Sequence, residues 1–201
     1  EYFYVVEYKK SPEASGSGGL SIKFFNINNT QKNALNDQLS ADGISSTAKS
    51  SMIHWGGTGY FHAGPHFYFG GMGAGGIMTA GTGSDRLKFS MGYGGIDFMI
   101  LVPFLGKDVN LIAGSLIGAG GLEMVSAVNN KYSKSFFLIG PKAGLQINFT
   151  SFFSMRLLGE YLYSQDIDSN VEGTLASGVD FDTGLALRNM MFSIGFEWGG
   201  F

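Results

Sequence analysis

Lys142, Gln146, Arg156 and Glu160 are the residues whose types and spacing could do chemistry. Lys142 and Gln146 share one face of an alternating stretch, and Arg156 and Glu160 share one face of the next. Residues an even number of positions apart on a strand point to the same side. Enclosed in a narrow lumen, such a set could line a polar conduit, hold a ligand or tie the walls together through buried salt bridges. Arginine is suited to the last role because it grips a carboxylate at two points.

Three histidines, His54, His62 and His66, lie close together in the chain. A metal ion needs three or four converging ligands. No carboxylate lies between Lys49 and Gly83 to complete the set, so interfacial or turn histidines are expected, with no metal. A serine with a histidine base within hydrogen-bond reach could act as a hydrolase. However, no Gly-x-Ser-x-Gly elbow occurs, and Gly16-Ser17-Gly18 reads as a flexible loop. The run Gly70 to Gly76 lacks the Lys-Ser or Lys-Thr of a phosphate loop and reads as close strand packing or a barrel corner. Asp166, Asp168, Glu172, Asp180 and Asp182 form an acidic stretch that reads as a solvated loop rather than a divalent-cation site. No catalytic residue and no cofactor is expected.

Composition narrows the elements that could position these groups. The chain has 201 residues, 44% of them hydrophobic and 14% aromatic, with 32 glycines and no cysteine. Mean hydropathy is +0.11. Yet the longest oily run, Phe98 to Leu105, is far short of the roughly 18 apolar residues of a membrane-spanning helix. A membrane protein without such helices must be a closed barrel, because lipid satisfies no open backbone group. Glycine costs a helix about 1 kcal/mol against alanine, but it suits bends and bulges. The missing cysteine excludes a disulfide framework and thiolate metal sites. A net charge of −3 leaves no basic footprint, so no nucleic-acid partner is expected.

The strands are read from the C-terminus. Leu185 to Phe201 alternates Phe192, Ile194, Phe196 and Trp198 with Ser193, Gly195 and Glu197. Gln165 to Thr183 reads as a long polar loop. Ser154 to Ser164 and Ser135 to Phe149 are strands around a turn at 149–153, with a polar loop at Ala127 to Lys134. Arg86 to Pro103 and Asp108 to Val125 form a hairpin. On the former, Leu87, Phe89, Met91 and Tyr93 face one way, and the phase is expected to slip at a bulge at Gly94-Gly95. His66 to Thr79 pairs with Met52 to Ala63. Leu20 to Asn28 is a first strand, followed by a polar segment with a helix around Gln31 to Leu39. Tyr2 to Tyr8 is strand-like, and Ser11 to Gly19 reads as a loop. Long and short connections alternate, as outer-membrane barrels alternate external loops with periplasmic turns. The count is eight strands, with ten as the alternative.

The stretch from Phe136 to Tyr163 and the C-terminal strand resemble the small outer-membrane β-barrels of the OmpA, OmpX and OmpW type. The resemblance covers about a quarter of the chain and implies an all-β, closed, antiparallel transmembrane up-and-down barrel, a single domain over 1–201. It implies the outer membrane of a Gram-negative bacterium after removal of a signal peptide. Phe196, Trp198 and Phe201 then read as the insertion signal, brought into phase by a bulge at Gly199-Gly200. Expected partners are outer-membrane lipids and lipopolysaccharide, the barrel insertion machinery and a small hydrophobic ligand. The expected role is structural, surface-presenting or small-molecule-binding. The alternatives are a narrow channel for small solutes, an enzyme that modifies lipid A or phospholipid, and a soluble lipocalin-like barrel with the faces reversed.

Overall fold

The computed structural model describes residues 15–64, 66–82, 85–105, 108–126, 130–173, 181 and 185–200. Tyr2 to Tyr8, Asp180, Asp182 and Phe201 lie outside them. The elements are β1 (Ser15–Asn26), α1 (Asn29–Ala41), β2 (Ser51–His62), β3 (Phe67–Thr82), β4 (Asp85–Leu105), β5 (Val109–Ser126), β6 (Lys131–Asn148), β7 (Phe153–Glu172) and β8 (Arg188–Gly199). Each strand pairs antiparallel with its neighbours in the chain, and β1 pairs with β8 to close the ring. Closure leaves no unpaired sheet edge at the seam.

The middle strands are long. β4 has 21 residues and β7 has 20, against 12 for β8. A tilted strand crosses a hydrocarbon core in about 9–11 residues, so the wall extends well past that span. It does so at the end that carries α1, called here the helix end; the other is the turn end. Along the wall, Leu20, Trp55, Phe69, Ile96, Ile117, Ile139, Phe192 and Ile194 point outward and are exposed.

Nearer the helix end the polarity reverses. On β4 the outward residues become Arg86, Lys88 and Ser90, while Leu87, Phe89, Met91 and Tyr93 are buried inside. β5 and β6 follow, with Leu122, Met124, Tyr132 and Phe136 inside. The expected slip at Gly94-Gly95 does not occur. Register with β3 and β5 runs unbroken through both glycines, and one face carries Leu87 through Leu101 into the lumen. The irregularities fall instead between Pro103 and Leu105 and between Ser135 and Phe136.

Three loops expected from composition are shorter in the structure. Ser15 to Gly19 belongs to β1, Lys131 to Lys134 to β6, and Gln165 to Glu172 to β7. Ladder pairing to a neighbouring strand overrides the local preference of serine, glycine and aspartate for turns.

α1 starts where the sequence signals a start. Asn28 accepts a hydrogen bond from the Gln31 amide at 2.9 Å, and the Gln31 side chain accepts from the Asn28 amide at 3.1 Å, a capping box. Gly43, at φ +71°, follows its C-terminal end. Its buried face is Gln31, Ala34, Leu35, Gln38 and Leu39, the helical period of one stripe. That stripe packs into one apolar cluster with Phe89, Leu122, Met124, Tyr132 and Leu187.

Glycine is a steric necessity on the inner wall at Gly70, where a Cβ would lie 1.9 Å from the Gly59 carbonyl oxygen. At neighbouring Gly71 a Cβ would point outward and meet nothing nearer than 3.6 Å. Gly70→Ala should lower unfolding stability in detergent by about 1–3 kcal/mol through overpacking. Gly71→Ala should leave it within about 0.5 kcal/mol. Urea unfolding followed by tryptophan fluorescence reads both, and equal effects would refute the packing argument.

Candidate functional site

Inside the wall toward the turn end, the apolar core gives way to charge. Among the described residues, three ion pairs are buried at both partners. Lys23 of β1 meets Glu160 of β7 at 2.7 Å. Lys142 of β6 meets Asp97 of β4, and Arg156 of β7 meets Glu197 of β8. The charges cancel within the set, as buried charges require. Their positions follow from the pleat, because each occupies the inward face of its strand.

Neutral groups complete the cluster. Tyr60 donates its hydroxyl to Asp97 at 2.5 Å, and Ser193 donates to Glu160 at 3.1 Å. Glu197 also accepts from Thr58 at 3.2 Å and Ser17 at 3.3 Å. Arg156 Nε donates to Gln146 at 2.8 Å, and the guanidinium lies 4.8 Å over the Tyr60 ring and 5.3 Å from that of Tyr68.

Lys142, Gln146, Arg156 and Glu160 thus all point into the lumen, but they do not pair with one another as charges. Arg156 bonds to Gln146, while the ion pairs of Glu160, Lys142 and Arg156 run to Lys23, Asp97 and Glu197 on other strands, which the sequence reading did not single out as site residues. The available signal was a charge flanked on both sides by apolar residues of the opposite, outward face: Lys23 between Ile22 and Phe24, Asp97 between Ile96 and Phe98, Glu197 between Phe196 and Trp198.

The histidines separate. His54 is buried, stacked on Phe25 with ring centroids 5.4 Å apart. His62, also buried, bonds Ser17 Oγ through Nε2 at 2.9 Å and Ser15 Oγ through Nδ1 at 3.0 Å. His66 sits exposed near the β2–β3 turn, its Nδ1 3.1 Å from the Leu101 carbonyl oxygen. Ser17 and His62 therefore meet the distance asked of a nucleophile and its base. They lie inside the wall, and Ser15, not a carboxylate, occupies the second imidazole nitrogen. The arrangement ties β1 to β2. The acidic stretch is also partly structural, since Asp166 pairs with buried Lys134 at 2.6 Å. Phe196 and Trp198 point outward near the turn end and stack around Phe153, at 6.2 and 5.7 Å between centroids.

The helix end is closed from above. Gln31 bonds the Ala186 carbonyl and Asn189, Asp42 accepts from Asn130, and Ser46 accepts from the Gly81 amide. These contacts touch the rim at β8, at the start of β6 and at β3, so the segment 27–50 crosses the mouth as a lid.

This architecture is that of the small outer-membrane barrels: eight antiparallel strands in an up-and-down ring. The structure is similar to that of Ail, the attachment invasion locus protein of Yersinia pestis, in complex with the heparin analogue sucrose octasulfate. The TM-score is 0.50 at 14% identity, over 92% of this chain and 98% of that one. A second structure of Ail gives 0.47 at 14% identity, over 92% and 97%. The likeness is one of fold. No family model matches the sequence, and no curated protein matches it.

Removing one member of a buried ion pair strands the other. Lys142→Met should lower stability by about 3–5 kcal/mol, whereas the double change Lys142→Met with Asp97→Leu should cost much less. A double-mutant cycle by urea unfolding checks this, and additive losses would show that the two side chains are not coupled.

Proposed function

We propose that the protein is a sealed barrel of a Gram-negative outer membrane that anchors in lipid and presents its helix end at the cell surface, rather than a conduit or an enzyme. The observation that carries this reading is the lid. Leu35 and Leu39 are fully buried over a packed apolar core, and the paired charges fill the lumen below them. A solute would have to displace both layers. A small hydrophobic ligand would likewise compete with the lid for the same cluster.

The orientation rests on the connections. The short turns of outer-membrane barrels face the periplasm and the longer loops face outward. On that rule the end that carries α1 lies outside, and Phe196 and Trp198 join the periplasmic aromatic girdle. In this setting Phe196 and Trp198 belong to the strand that the insertion machinery reads. Arg86, Lys88 and Arg188 are exposed on the outer wall at the helix end. At that height they face the phosphates of lipopolysaccharide, a charge match that favours it as the surrounding partner. Ail's complex with a sulfated sugar shows that a barrel of this fold can hold an anionic saccharide.

In planar lipid bilayers the purified protein should give no steady conductance steps; reproducible ohmic steps would sink the sealed reading. Expression in a Gram-negative host should leave lipid A and phospholipid masses unchanged. A mass shift abolished by Ser17→Ala or His62→Ala would establish an enzyme instead.

A further inference from the structure

Within the charge cluster, three polar atoms have no protein partner: Ser21 Oγ, Asp97 Oδ1 and Arg156 Nη2. All three residues are at least nine-tenths buried. They line one cavity of about 20 Å³, which Lys142, Glu160 and Glu197 also border. A single water needs about 10–15 Å³ and two or more polar partners, so the space fits one water.

The chemistry of the lining selects among small occupants. Asp97 Oδ1 is an acceptor and needs a donor; Arg156 Nη2 is a donor and needs an acceptor. A metal cation would offer Arg156 nothing and would be repelled by it and by Lys142. A halide would offer Asp97 nothing. Water supplies both functions, and the Ser21 hydroxyl can serve in either sense.

We propose that one buried water is a fixed part of this lumen, donating to Asp97 Oδ1, accepting from Arg156 Nη2 and bonded to Ser21. It bridges the Asp97–Lys142 pair to the Arg156–Glu197 pair, and so links β4 and β6 to β7 and β8. These two ion pairs then act as one network rather than as separate clasps.

A crystal structure of the detergent-solubilised protein, at a resolution that shows ordered water, tests this. The expected result is a peak about 2.5–3.2 Å from both Asp97 Oδ1 and Arg156 Nη2. The absence of a peak there would overturn the proposal. So would anomalous signal at that position after a bromide or rubidium soak, since either would make the occupant an ion. Gly195→Ala supplies a second reading. Gly195 borders the cavity, and a Cβ there would meet nothing nearer than 3.7 Å, so a methyl can fill the space without moving the backbone. The peak should vanish in this variant; its persistence unchanged would show that the water does not fill the cavity beside Gly195 and would overturn the assignment.

Discussion

Closure of the ring by β1 and β8 is the constraint on which the remaining structure depends. A strand in lipid can satisfy its backbone only through its neighbours, so the last strand must return to the first. Once it does, every strand has an inner and an outer face that meet different surroundings. A side chain on the inner face can then be satisfied only by another inner side chain or by water trapped with it. The buried pairs of Lys23 with Glu160, Lys142 with Asp97 and Arg156 with Glu197 are the result.

The two faces do not keep the same character along the barrel. In the belt, apolar residues point outward, as the proposed lipid setting requires, and the lumen can be polar. Beyond the belt the pattern inverts, as it would where water replaces lipid, with Arg86 and Lys88 outside and Leu87 and Phe89 inside. The helix end is thus built like a soluble protein with its own core. α1 completes that core as a wall completes a box, since its Leu35 and Leu39 would otherwise be an exposed apolar stripe. A barrel with such a core at one end and a compensated charge layer at the other has little lumen left for traffic. That favours surface presentation over transport.

The alternating pattern made much of this legible. Eight strands, the helix near Gln31 to Leu39 and the shared faces of Lys142 with Gln146 and Arg156 with Glu160 are local properties, set by periods of two and 3.6 and by a cap. Strand ends were less legible. Ser15 to Gly19 and Gln165 to Glu172 have loop composition, yet they are held in the ladder by partners far away in the chain. The apparent slip at Gly94-Gly95 had a different origin. The residues kept their phase while the medium outside them changed.

By itself the sequence determined the strand period, the start of the helix and the lack of thiol chemistry, because these depend on composition and on nearest neighbours. Only the tertiary structure decided which face of β4 turns inward and which charges meet. Glu160 finds Lys23 137 positions away, and Lys142 finds Asp97 45 positions away. Such partners are set by the stagger of neighbouring strands around a closed ring. That stagger is a property of the whole barrel, and no stretch of the chain carries it alone.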